Sequence, residues 1–103
     1  MSGQGLATNL LVLQGEVEQI AALRYTPAGI PLLSFSVRHT SEQIEANMQR
    51  KVECDVSVIA MSDLALRSQD IKPGVNIRVT GFLARRSLKS TQLVLHINAL
   101  EII

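Results

Sequence analysis

His39, Cys54 and His96 are the most reactive side chains in the sequence, and their surroundings along the chain give them little to do. Neither histidine has a nucleophile or an acidic partner at the spacing that acid–base chemistry uses. Both fall in stretches that read as strands, where an imidazole is a structural or surface group. Cys54 stands alone, so it forms no internal disulfide and no cysteine-based metal site. It alternates with Val52 and Val56 and reads as a small core residue. Gly3 and Gly5 lack a strand before them and a helix after them, so they make no phosphate-binding loop. The sequence therefore predicts no catalytic residue, no metal ligand set and no cofactor, and the chain reads as a non-enzyme.

Charge recognition is the chemistry that the sequence does support. Acidic residues crowd the first half at Glu16, Glu18, Glu42, Glu45, Glu53 and Asp55. Arg78, Arg85, Arg86 and Lys89 cluster late, with no acid between Asp70 and Glu101. The formal net charge is only +1, so any contact with nucleic acid must rest on where the cations sit. Arg85, Arg86 and Lys89 fall in one polar stretch, Ala84 to Thr91, that reads as a loop able to hold phosphates. The alternative for that stretch is ordinary solvated charge. Arg38 and Lys51 have the outward parity on two predicted strands, but Glu53 and Asp55 share that face and repel phosphate. Aromatic side chains are scarce: Tyr25, Phe35 and Phe82, with no Trp. Base stacking is correspondingly limited.

The elements that must position these residues are strands. From Leu11, the apolar set Leu11, Leu13 and Val17 alternates with Gln14, Glu16 and Glu18, the period of a strand with one buried face. Gly15 inside it predicts a bulge or sharp bend. Thr26 to Pro31 is dense in turn formers. A second strand follows with Leu33, Phe35 and Val37 inward, and Ser34, Ser36 and Arg38 outward. Ser41 to Arg50 is polar without alternation and reads as a loop. The third strand sets Val52, Cys54, Val56 and Val58 against Lys51, Glu53, Asp55 and Ser57. Ser62 suits an N-cap and Asp63 a first helical turn. A short helix over Leu64 to Arg67 ends before Lys72-Pro73-Gly74. Val75, Ile77, Val79 and Gly81 line the inside of a fourth strand. Leu93, Leu95, Ile97 and Ala99 share one side of a fifth.

Three strands, a short helix and two strands is the order of the OB-fold, a five-stranded all-β Greek-key barrel with its helix between strands 3 and 4. An open five-stranded sheet with a helix on one face is the alternative. Gly15 and Gly81 favour the barrel, because a small sheet closes only with bent strands. A length of 103 residues has room for one domain, 1–103. The apolar share of 47% is too high for disorder. No apolar run is long enough to span a membrane and no secretory signal is evident. With the lone cysteine, this points to a reduced, cytoplasmic setting. Leu10 and Val12 on the outer side of the first strand, and Leu100 and Ile102 on the last, predict exposed apolar faces and a homodimer.

The chain resembles the PriB family, primosomal replication protein N of bacterial replication restart, which is related to single-stranded-DNA-binding proteins. The resemblance rests on Asn9-Leu10-Leu11-Val12-Leu13-Gln14-Gly15, on Pro27-Ala28-Gly29-Ile30-Pro31 with Phe35, and on Cys54. It continues through Gly81-Phe82 and Leu93-Val94-Leu95-His96. It implies a homodimeric OB-fold that binds single-stranded DNA and contacts the PriA helicase and, in some members, the loader protein DnaT. On this reading Arg38, Lys51, Arg85, Arg86 and Lys89 are the DNA-binding residues. The resemblance also implies an aromatic just before Cys54, where this sequence has Glu53. An adaptor that chiefly contacts the helicase, with DNA secondary, is the competing function. The chain stops at Ile103 right after a strand, so partners are expected to dock on the folded surface.

Overall fold

Alternating side chains decide which face of each strand turns inward. In the computed structural model, which describes residues 7–103, that alternation yields β1 (Leu11–Ile20), β2 (Arg24–Tyr25), β3 (Pro31–Glu45), β4 (Met48–Met61), α1 (Asp63–Ser68), β5 (Asn76–Arg85) and β6 (Leu93–Ile102). Gly3 and Gly5 lie outside the described residues. The inward residues Val17, Leu33, Phe35, Val37, Val58, Ile77, Val79, Leu95 and Ile97 form one core with Leu64 and Ala65 of the helix.

The sheet closes on itself. Its strand order is β1-β5-β6-β4-β3-β2, and β1 also pairs with β3. β1 forks: Leu11 to Glu16 pair with β5, and Glu16 to Ile20 pair with β3. A short parallel ladder, Val58–Leu95 to Ala60–Ile97, joins β4 to β6. Leaving aside the two-residue β2, this is the expected five-stranded barrel with a helix after its third strand, not the open sheet. Gly15 sits at the fork. A Cβ there would overlap the carbonyl oxygen of Arg38 and stand 2.6 Å from Val37 Cγ1, so the glycine lets β3 come close. The bulge itself falls at Glu18, where the register shifts between Val17 and Gln19. Gly81 faces the Ile97 Cα at 2.7 Å from the position of a Cβ, and the β5–β6 register shifts beside it.

Several expectations are corrected. Ser41 to Arg50 is not a loop: β3 and β4 run on as a paired ribbon to a two-residue turn at Ala46 and Asn47. Both faces of the ribbon are solvated, so no core imposes alternation on its sequence. Cys54 belongs to this ribbon and is exposed, although its parity is that of the core set, because the barrel has ended by then. Ala84 and Arg85 lie in β5, and the loop proper spans 86–92. Tyr25 lies in β2, just before the Thr26 to Pro31 turn segment. Ser62 precedes the helix but makes no side-chain cap. Its carbonyl accepts from the Ala65 N–H at 3.1 Å.

The last strand departs furthest from its alternation. Thr80 pairs with Ala99 and Gly81 with Ile97, so Asn98 is an extra residue that flips the parity beyond it. Leu100 therefore packs on the core, and Ala99 is exposed. Leu93 starts the strand and is 57% exposed. Ile102 is exposed as expected, at 68%, and Leu10, Val12 and Phe82, all exposed, form the apolar outer face of β1 and β5.

Candidate nucleic-acid interface

Residues paired directly across an antiparallel ladder share a face. The β3–β4 register pairs Ser34 with Ile59, Ser36 with Ser57 and Arg38 with Asp55, which places these side chains on the outside of the barrel. Small hydroxyl side chains leave the floor of this face low. A groove of about 340 Å³ runs over it, lined by Ser34, Ser36, Ser57, Gln19 and Arg86. A second groove of about 410 Å³ adjoins it, lined by Asp55, Ser57, Leu83, Arg86 and Leu93. Ser57 and Arg86 line both, so the loop cation stands at their junction.

The loop holds Arg86 there through its backbone. The Arg86 N–H donates to the Gln92 carbonyl at 2.9 Å, and the Ser90 N–H to that of Ser87 at 3.2 Å. Arg85 is tied to its own loop, donating from Nη1 to the Leu88 carbonyl at 3.2 Å. Lys89 is exposed. Among the described residues, no ion pair forms at Arg85, Arg86, Lys89 or Lys51.

Arg38 is in a different state. Its guanidinium lies 2.8 Å from a Glu18 carboxylate oxygen and 3.3 Å from Asp55 Oδ1. The Asp55 hydrogen bond, followed by the charge of Glu18, raises its pKa above the ordinary arginine value. One cation facing two carboxylates leaves net negative charge at this point of the surface. Lys51 lies further out, opposite Glu42 on the ribbon. It lies six positions along the strand from Ser57, about 20 Å. The five sequence-predicted cations thus divide: Arg86 lines both grooves, Arg85 and Lys89 lie near it along the chain but line neither, Arg38 is neutralised by its carboxylate partners, and Lys51 stands apart.

Two features escaped the sequence reading. Arg24 pairs with Leu32, which puts it on the same outer face as Ser34. A two-residue strand has no period, so nothing marked it. Phe82 and His96 stack with ring centroids 5.4 Å apart and planes 7° from parallel. Their outward parity was legible, but their pairing depends on the β5–β6 register. His39 has the structural role expected of it. Its Nδ1 lies 2.7 Å from the Gln14 carbonyl and its Nε2 2.7 Å from Ser41 Oγ, linking β1 to the base of the ribbon.

A closed five-stranded barrel of this strand order, with its helix after the third strand, is an OB-fold. A crystal structure of the wild-type single-stranded DNA binding protein from Thermus aquaticus superimposes with a TM-score of 0.76 at 21% identity, over 93% of this chain and 50% of that one, which establishes the shared fold. The family model described as "another single-strand binding protein family" matches residues 9–99. Replication restart protein PriB of Nitrosomonas europaea is 38% identical over 95 residues, 92% of this chain and 88% of that protein. The structure of PriB from Ralstonia solanacearum superimposes with a TM-score of 0.84 at 33% identity, covering 93% of this chain and 98% of that one. The chain belongs to the PriB family of replication restart proteins, a non-catalytic branch of the single-strand-binding proteins. No helix among the described residues is long and apolar enough to cross a membrane.

Proposed function

We propose that this protein binds single-stranded DNA across the outer face of β3 and β4, using Arg86 at the groove junction with Arg85 and Lys89 beside it. The observation that carries the reading is the placement of Arg86 over a floor of Ser34, Ser36 and Ser57. A guanidinium there holds a phosphate, while serine hydroxyls leave room for the backbone and donate to it. Arg24 extends the cationic track at one end. Arg38 and Lys51 contribute less, the first because Glu18 and Asp55 already hold it.

With few aromatics on this face, affinity comes from counterion release rather than stacking, so it falls with salt. Arg86→Ala removes one phosphate contact and lowers the salt slope by about 0.7. Fluorescence titration of an oligothymidylate at several salt concentrations reads that slope, and an unchanged value removes Arg86 from the interface.

The protein acts as a homodimer in a reduced, cytoplasmic compartment, in keeping with its unpaired Cys54, and cooperates with the PriA helicase. A second reading, an adaptor that chiefly docks the helicase or DnaT, is favoured by one feature. Beyond Ser57 the outer face turns acidic, with Glu18, Asp55, Glu53 and Glu42 against Arg38 and Lys51. Helicase binding by an Arg85→Ala/Arg86→Ala/Lys89→Ala variant that has lost DNA separates the two surfaces.

A further inference from the structure

Of the three aromatic side chains, two are already engaged. Phe35 is buried in the core, and Phe82 stacks on His96. Tyr25 is 61% exposed. It ends β2, the edge strand beside β3. Arg24 precedes it, and no ion pair forms at Arg24 among the described residues. Both residues border a hollow of about 170 Å³, with Thr26, Pro27 and Leu32 as its other walls.

This hollow continues the serine-floored face. Arg24 is paired with Leu32, which shares one side of β3 with Ser34 and Ser36. Leu32 lies four positions from Ser36, about 13 Å along the strand, so Arg24 stands at the far end of the face from Arg86. Tyr25 is paired with Pro31 and has the opposite parity. β2 has no neighbour on its other side, so Tyr25 borders the open edge over which a strand of DNA leaves the face. The backbone behind the ring is held. The Thr26 N–H donates to the Ile30 carbonyl at 2.9 Å, and the Gly29 N–H to that of Thr26 at 2.8 Å. The Ile30 N–H donates to Thr26 Oγ1 at 3.1 Å. A ring carried on such a turn loses little freedom when a base packs on it.

We infer that Tyr25 and Arg24 form a nucleotide subsite where the DNA track crosses the β2 edge: the ring stacks on one base and the guanidinium holds an adjoining phosphate. The inference rests on the DNA reading proposed above. The two groups make different contributions. Arg24 adds a contact that weakens with salt. Stacking on Tyr25 accepts any base, with a modest preference for the stronger stackers. One aromatic at one end of the track also gives the bound strand a direction, because only one terminus of a short oligonucleotide reaches the ring.

A fluorescent adenine analogue that dims on stacking tests the contact. It is placed at one terminus or the other of a short oligothymidylate, too short to reach a second protomer, and titrated with native protein, Tyr25→Ala and Tyr25→Phe. Tyr25 is exposed, so both variants are expected to keep the native urea midpoint. Dimming is expected at one terminus only, with native protein and Tyr25→Phe, and is lost with Tyr25→Ala. Tyr25→Ala is expected to bind about fivefold or more weakly at an unchanged salt slope, whereas Arg24→Ala lowers the slope by about 0.7. Dimming at neither terminus, equally at both, or surviving in Tyr25→Ala overturns the inference, as does native affinity in Tyr25→Ala. Each of those results leaves the DNA reading to the Arg86→Ala slope, while a native protein that binds no oligothymidylate overturns both.

Discussion

Arg38 and Arg86 are borne on the same side of the barrel, and their partners make them different reagents. Arg86 lines grooves floored by serines and has no ion pair among the described residues, whereas Arg38 is held by Glu18 and Asp55. Asp55→Asn removes one of those partners and a charge that repels phosphate. Affinity for single-stranded DNA is then expected to rise severalfold, with a salt slope steeper by up to about 0.7 as Arg38 becomes free to contact phosphate. Equal or weaker binding by Asp55→Asn would show that Arg38 is a structural ion pair and nothing more. The outward parity of Arg38 and Asp55 was readable from alternation. The involvement of Glu18 was not, because it depends on a bulge that turns this one residue toward β3.

At the scale of elements, the barrel strands were legible because each has one face in the core, and burial enforces the period of two. The ribbon was not, since water solvates both of its sides and Ser41 to Arg50 carries no imposed alternation. Its turn is equally muted: Ala46 adopts φ 53, a conformation that glycine takes without strain. Ala46→Gly is expected to stabilise the protein by about 1 kcal/mol in urea unfolding. Gly81 makes the opposite case. A methyl group there meets β6 backbone, which has no flexible end to move aside. Gly81→Ala is expected to destabilise by about 2–3 kcal/mol in the same measurement, through overpacking. The late strand shows where alternation misleads, because Asn98 moves Leu100 from the expected outer face to the core.

For the whole molecule, surfaces divide by chemistry. The basic loop and serine-floored grooves occupy one side, and Leu10, Val12 and Phe82 occupy the outer face of β1 and β5. An exposed apolar patch on strands that already bury their other face marks an association surface. Val12→Asp is expected to convert the proposed homodimer to a monomer at micromolar concentration by light scattering, with the barrel still folded. An unchanged mass would move the dimer contact elsewhere. On the proposed function, the loop after β5 grips phosphate on the outer face of β3 and β4. Titrating a fluorescent oligothymidylate with the native protein and with Arg85→Ala/Arg86→Ala/Lys89→Ala, across a range of salt, tests it most directly. Loss of affinity with a salt slope lower by about two for each loop is the predicted result, and an unchanged slope and affinity in the triple variant would contradict it.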